Sequence, residues 1–409
     1  MTPRIWPAGA GAPRLLLHAL RFDPAARANA GEASALAAWL AARGTPVHVV
    51  AAARPGGRGP RLATTRLGWH VEEWEGMRIS RCPLLWAPPH ARLIARELEG
   101  ASFALSSVPV LLHRAKSLAP DIVACFETMP SLLAATLLAA RRARARSWLH
   151  LSETAPLAQD RSLAALVARF DHVSLAAVCA AERLAEAGVG EARRIALAPA
   201  IDTRAIYPIA AENPIRAAMG LEHGAIVALY AGSLGDDHHT DMLAGVARHL
   251  PRNGAIVIVA SGKGPGWTRL AGAARDLPPL RLLPWPPAAD LNALLNLADI
   301  HLMPDGFGAV DALFPAKSAA LLSSGVPILT ADDPSAVPPS LSQAVATAIP
   351  QADALAAAIV RLAAAPAERI RRGAAARRAA QDYHEKERVF RRLERALELR
   401  PSLPAAAAS

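Results

Sequence analysis

Lysine is nearly missing from this chain. Of 45 basic residues only four are lysine, at positions 116, 263, 317 and 386. Aromatic residues make up 4 % of a sequence that is 52 % hydrophobic, so its cores must be built from Ala, Leu and Val. That composition suits helices packed on parallel strands better than an all-β sandwich. Cysteine is scarce too: Cys82, Cys125 and Cys179 stand far apart, with no C-x-x-C. This argues against a disulfide framework and for a reducing cytoplasm. No apolar run reaches the ~20 residues of a membrane span, and the longest candidates, Ser102–Leu112 and Pro130–Ala140, are about half that. The first apolar run, Leu15–Leu20, is interrupted by His18 and followed by Arg21 and Asp23, so no secretory signal is expected. No basic-aromatic motif supports nucleic-acid binding. No Ser-His-Asp pattern or G-x-S-x-G elbow supports hydrolase chemistry.

What is present is length, charge and alternation. At 409 residues the chain is long enough for two domains. Its net charge of +10 is uneven: residues 1–200 hold 24 basic and 15 acidic residues, residues 201–409 hold 21 and 20. A base composition that favours Arg codons explains this excess, and so does a first domain facing anionic lipid or an anionic substrate. Residues 1–13 and 400–409 read as disordered. Between them strand and helix patterns alternate. Leu15–Leu20, Glu32–Arg43 and Val47–Ala51 form a βαβ unit. Leu93–Leu118, Asp121–Cys125, Ser131–Arg142 and Ser147–Leu151 continue it. A second series runs from Ala225–Tyr230 through Ala255–Ala260, Leu280–Leu283, Asp299–Met303 and Val326–Thr330. The expected division is a domain over 14–205, a second over 206–380, and one long terminal helix over 381–399, with 199–214 as linker.

Ligands of open parallel sheets bind beyond the carboxyl ends of the strands. Three loops of the second series sit there. Gly232-Ser233-Leu234-Gly235 lets backbone approach a ligand, or is a plain strand–helix turn. Gly262-Lys263-Gly264-Pro265-Gly266 resembles a phosphate cradle but matches no established glycine pattern. Pro304–Gly308 leads to Phe314-Pro315-Ala316-Lys317-Ser318, where Pro315 suits a first helical turn. Lys317 and the helix N-terminus would then direct positive charge at one place, unless the lysine is simply solvated. In Gly235–Asp241 two adjacent histidines would point apart on a helix, so the aspartates read as caps and no metal is expected. In the first half, Trp148–Glu153 ends a strand with a polar cluster; Glu153 could orient an acceptor hydroxyl, or the cluster could cap a helix. Arg92–Lys116 reads equally as a helix lying on a bilayer and as a core helix.

Taken together, "FDPAARANAGEASALAAWLAARGTPVHVV", "LHLSE", "LYAGSLG", "LPWPPAADLNALLNLADIHLMP" and "DALFPAKSAALLSSGVPILTADD" resemble the retaining GT-B glycosyltransferases of family 4, of the colanic-acid and exopolysaccharide type. The matching pieces run in family order over nearly the whole chain. The resemblance implies two Rossmann-like, doubly wound α/β domains facing across a cleft, with the terminal helix crossing back to the first. It implies a UDP- or GDP-linked nucleotide-sugar donor, no metal, and a saccharide or lipid-linked acceptor at the inner face of the cytoplasmic membrane. Gly232, Ser233, Gly262, Lys263, Pro315, Lys317 and Ser318 would lie near the donor diphosphate, with Pro284 and Trp285 near the nucleobase. Asp311 falls near an expected carboxylate, Glu153 at the cleft, and Gly31 and Glu32 at the acceptor-side loop. Where the family usually has a basic pair stand Ser233 and Asp237, and where it has a ribose-binding glutamate stands Ala320. A non-catalytic partner in a polysaccharide-synthesis complex and a nucleotide-sugar epimerase are the alternatives.

Overall fold

The computed structural model describes residues 13–23, 32–53, 69–84, 92–151, 160–175, 180–210, 213–234, 238–304 and 316–399. Two compact units emerge. One comprises Met1–Leu197 with Phe390–Ser409, the other Ala198–Val389.

Among the described residues the N-terminal unit holds eight strands: β1 (Leu15–Ala19), β2 (Val47–Ala52), β3 (His70–Trp74), β4 (Met77–Cys82), β5 (Ile122–Cys125), β6 (Arg146–Leu151), β7 (His172–Leu175) and β8 (Arg194–Ala196). Their order across the sheet is β3-β4-β2-β1-β5-β6-β7-β8. All neighbours are parallel except β3 and β4. Every residue of β1, β2 and β5 is buried, as expected for strands covered on both faces. β3 differs: it alternates half-buried and exposed residues at the sheet edge and carries Glu72 and Glu73. Edge glutamates discourage pairing with another chain. A search for continuous apolar runs passes over such a strand. Its sequence signal is Glu75-Gly76, both at positive φ, which makes the two-residue turn to β4.

The helix Arg92–Leu118 buries Phe103, Val110, Leu111, Ala115 and Leu118, so it is a core helix. Its other face leaves Leu98 and Leu105 exposed. None of the described helices is long and apolar enough to cross a membrane.

The C-terminal unit holds β9 (Ile226–Ser233), β10 (Ile256–Lys263), β11 (Leu280–Pro284), β12 (Ile300–Met303), β13 (Ile328–Ala331) and β14 (Val345–Ala348), all parallel, in the order β11-β10-β9-β12-β13-β14. The period of two sorts the side chains of β9 and β10 between two cores. Val227, Leu229, Val257 and Val259 join one cluster, with Leu321 and Leu322 of the helix Ala316–Ser323. Ala228, Tyr230, Ile256 and Ile258 join the other, with Leu243 and Val246 of the helix His238–His249.

The expected single helix over 381–399 is interrupted. A π-helical turn, Ala380–His384, is followed by extended Glu385 and then the helix Lys386–Ala396. The break is caused by a bridge between Ile201 and Glu385, in which the Ile201 amide bonds the His384 carbonyl and the Lys386 amide bonds the Ile201 carbonyl, 2.8 Å each. Thr203 Oγ1 bonds the Glu385 carboxylate, and Lys386 Nζ pairs with Asp202 at 2.6 Å. The segment expected as a loose linker is thus fastened to residues far along the chain. From Phe390 onward the helix belongs to the N-terminal unit, where Phe390 packs edge-on against Trp39 at 5.6 Å. The terminal helix therefore returns to the first unit.

Candidate functional site

Each parallel sheet has one point where its strand order reverses. It lies between β1 and β5 in the N-terminal unit and between β9 and β12 in the C-terminal unit. Loops beyond the carboxyl ends of strands at such a point form the usual ligand crevice.

In the C-terminal unit, the register brings three expected donor positions onto one rung. Gly262 of β10 faces Gly232 of β9 on one side and Pro284 of β11 on the other. The next rung pairs Lys263 with Ser233. The Leu234 amide bonds the Lys263 carbonyl at 2.9 Å, and the Gly266 amide bonds the Leu234 carbonyl at 3.0 Å. This stitching explains the glycines. A Cβ on Gly262 would collide with the Gly232 carbonyl, and one on Gly264 (φ +142°) with the Leu234 carbonyl. Lys263 is exposed at this crest. Trp285 is partly buried against the apolar cluster below, as is Ala320. Lys317 is the second residue of the helix Ala316–Ser323; its side chain, like that of Ser233, is outside what the structure describes. Ser318 is fully buried within that helix. Gly31, Glu153, Asp311 and Pro315 lie outside the described residues, as do Asp237 and the side chains of His238 and His239. Among the described residues no three His, Cys, Asp or Glu side chains cluster as metal ligands would.

The N-terminal crest is built from side chains. Glu32 opens the helix Glu32–Ala42, and its Oε2 lies 2.8 Å from His150 Nε2 on β6. His150 Nδ1 lies 2.8 Å from Ser174 Oγ on β7, which also takes the Trp148 Nε1–H at 2.8 Å. Phe126, just past β5, covers both rings, with centroids 5.0 Å from His150 and 5.3 Å from Trp148. Next to it, Glu127 Oε1 accepts the Leu20 amide at 2.8 Å. Burial pushes the Glu32 carboxyl up, but the adjacent imidazole of His150 outweighs it and holds the group below the usual range. The sequence reading singled out Glu153 in this region and missed His150, Ser174 and Glu127. The signal was available for His150: a histidine inside an otherwise apolar strand must find a polar partner in the core.

Three other strand histidines are structural. His18 lies between Ser107 Oγ (3.0 Å) and Thr136 Oγ1 (3.2 Å), His48 bonds Ser80 Oγ at 2.9 Å, and His301 bonds Ser324 Oγ at 3.0 Å. Burial pushes their pKa values down to about 4, 3 and 3 respectively.

Two parallel α/β units of this topology define the GT-B fold. No protein-family model matches the chain. In sequence it is 25 % identical over 344 residues to "Putative colanic acid biosynthesis glycosyl transferase WcaI" of Escherichia coli K12, covering 76 % of this chain and 81 % of that one. In structure it is similar to sucrose-phosphate synthase of Thermosynechococcus elongatus, with a TM-score of 0.71 at 16 % identity, over 94 % of this chain and 98 % of that one. It is also similar to Anabaena HepE, solved in complex with UDP, with a TM-score of 0.64 at 13 % identity, over 94 % and 99 % of the two chains.

Proposed function

We propose that this chain is a metal-independent, retaining glycosyltransferase of family 4. It moves a sugar from a UDP- or GDP-linked donor to a saccharide or lipid-linked acceptor in cell-surface polysaccharide assembly. The observation that carries this reading is the rung Pro284–Gly262–Gly232 at the reversal point of the C-terminal sheet. The missing side chains let the backbones of the two strands close on each other there, and exposed Lys263 stands on the next rung, free to reach a diphosphate beyond the strand ends. The sequence similarity to WcaI supports the reaction class, and the nucleotide bound by HepE supports the donor class. In this reading Lys263, Lys317 and the N-terminus of the helix Ala316–Ser323 supply the positive charge that stabilises the departing nucleoside diphosphate. Ser318, being buried, serves by anchoring the helix start rather than by touching the donor.

The acceptor belongs to the N-terminal unit. Peripheral contact with the inner face of the cytoplasmic membrane is supported by the positive charge of residues 1–200 and by exposed Leu98 and Leu105.

Incubation of the purified protein with a panel of UDP- and GDP-sugars should reveal at least one that binds and is slowly hydrolysed. Lys317→Ala should lower turnover of that donor by about 10²–10³-fold, the effect of removing one preorganised charge from a leaving group. A panel without binding or hydrolysis overturns the reading. Flotation with liposomes should rise with anionic lipid content; indifference to it removes the membrane contact.

A further inference from the structure

Four side chains of the N-terminal unit form a hydrogen-bond chain, and it ends on a carboxylate with one oxygen left without a partner among the described residues. The Trp148 indole N–H is a donor only, so Ser174 Oγ receives it (2.8 Å) and must send its own proton elsewhere. Of its two other neighbours in reach, His150 Nδ1 at 2.8 Å is closer than the Leu149 carbonyl at 3.4 Å. His150 Nδ1 and Ser174 Oγ share one hydrogen bond, and on the other side of the ring His150 Nε2 and Glu32 Oε2 share another at 2.8 Å. Trp148, His150 and Ser174 are at most 1 % exposed, so water does not compete for these bonds. Glu32 Oε2 is satisfied. Glu32 Oε1 is buried and has no hydrogen-bond partner among the described residues. A buried acceptor left open is costly unless something arrives to fill it. This one opens the helix that follows β1, at the reversal point of the sheet, where a ligand is expected.

We propose that Glu32 Oε1 accepts a hydrogen bond from a neutral hydroxyl of the saccharide acceptor, and that His150, Ser174 and Trp148 are positioning residues that hold this carboxylate in place. The proposal rests on the glycosyltransferase reading for the word acceptor, but not for the saccharide site itself. An ionised carboxylate repels a uronate or a sugar phosphate, so the acceptor group docking here is uncharged.

Three measurements on the full chain test it. The first is binding of n-octyl β-D-glucopyranoside, n-octyl β-D-galactopyranoside and n-octyl α-D-mannopyranoside, with n-octyl β-D-glucuronide as anionic comparator, alongside UDP and GDP. At least one neutral glycoside should bind, the glucuronide more weakly. The second repeats this for Glu32→Gln, which keeps the shape and removes the charge. Its glycoside Kd should rise about 10–100-fold, the weight of a hydrogen bond to a charged group, while its nucleotide Kd stays unchanged. The third tests the support: Ser174→Ala should raise the glycoside Kd in the same direction as Glu32→Gln while the nucleotide Kd stays unchanged, and Ser174→Thr, which keeps the hydroxyl, should restore it. Failure of every neutral glycoside to bind, or undiminished glycoside binding by Glu32→Gln or by Ser174→Ala, would each overturn the proposal. Glycoside binding that depends on Glu32 in a protein that binds neither UDP nor GDP would instead sink the glycosyltransferase reading and leave the saccharide site standing.

Discussion

At the reversal point of the N-terminal sheet, the crest consists of side chains: Glu32, His150, Ser174 and Phe126 touch one another, and Glu127 holds the Leu20 amide beside them. At the corresponding point of the C-terminal sheet the rung of Pro284, Gly262 and Gly232 offers no polar side chain at all. The sheets follow one plan, since in each the first strand has its successor on one side and a later strand on the other. On the function proposed above, the finishing differs because the two crests have different tasks. A crest of glycines without bulky side chains lets an anion come close to the backbone beyond the strand ends. A crest of buried, mutually bonded side chains can distinguish hydroxyl patterns, because each unfilled acceptor demands one particular donor. On the proposed function the C-terminal unit would grip by backbone and the N-terminal unit would select by side chain.

The comparison breaks most visibly at Gly262. Gly262→Ala places a methyl group into the Gly232 carbonyl and against Leu234, so the two strands must part. It should destabilise the C-terminal unit by about 3 kcal/mol, the upper range for overpacking. Gly272 stands ten residues on, in the helix Gly266–Ala274, with open space around its Cβ position. Gly272→Ala should stabilise by about 0.5–1 kcal/mol through helix propensity. Urea denaturation of both variants checks the contrast. Equal effects at the two sites would show that the crest backbone is not held as tightly as its stitching implies.

A second effect falls on both units, through the neutral histidines inside their strands. For His18, His48 and His301 burial lowers the folded pKa to about 4, 3 and 3, below the ordinary histidine value of 6.5. The unfolded chain therefore binds more protons than the folded one as the pH falls below about 6.5. Stability is fully present above that point and is lost progressively toward the folded pKa values. At pH 5 each histidine should cost about 2 kcal/mol relative to pH 7, while most carboxylates are still ionised. His18→Gln and His301→Gln should each flatten the stability loss between pH 7 and pH 5 by about that amount. An unchanged pH dependence in either would show that the histidine is already charged in the folded protein.

Much of this architecture was legible in the sequence because parallel strands buried on both faces read as apolar runs. β1, β2, β5, β9, β10 and β12 all announce themselves so, to within a few residues. β3 did not, since an edge strand keeps its charges. Nor did the break at Glu385, which is imposed by Ile201 and Thr203, more than 180 residues earlier in the chain. The C-terminal crest was visible as Gly232 and Gly262 because glycine marks close backbone approach wherever it occurs. The N-terminal crest was visible only in part. Glu32 and His150 are 118 residues apart and nothing local couples them. Only the pairing of β1 with β5 and β5 with β6 brings them to the same edge.

The finest test separates two members of that N-terminal crest. Ser174→Ala leaves both the Trp148 indole N–H and His150 Nδ1 without their bonds at 2.8 Å, in a site that water does not reach. Two orphaned groups should cost about 2–3 kcal/mol. Trp148→Phe removes the donor along with its need, preserves an aromatic ring near Phe126, and leaves Ser174 still bonded to His150. Its cost should be about 1 kcal/mol, comprising one net hydrogen bond and a smaller ring. The difference matters more than either value. A connected chain predicts that losing the hydroxyl in the middle, which is bonded on both sides, is worse than losing the indole at its end. Chemical denaturation of the two variants and of the double variant reads this directly: once Trp148 is Phe, removing the Ser174 hydroxyl should cost less than in the wild-type background, because only His150 is left unpaired. Additive costs would mean that the two bonds act independently, and the N-terminal crest would then be an assembly of separate contacts rather than one connected network.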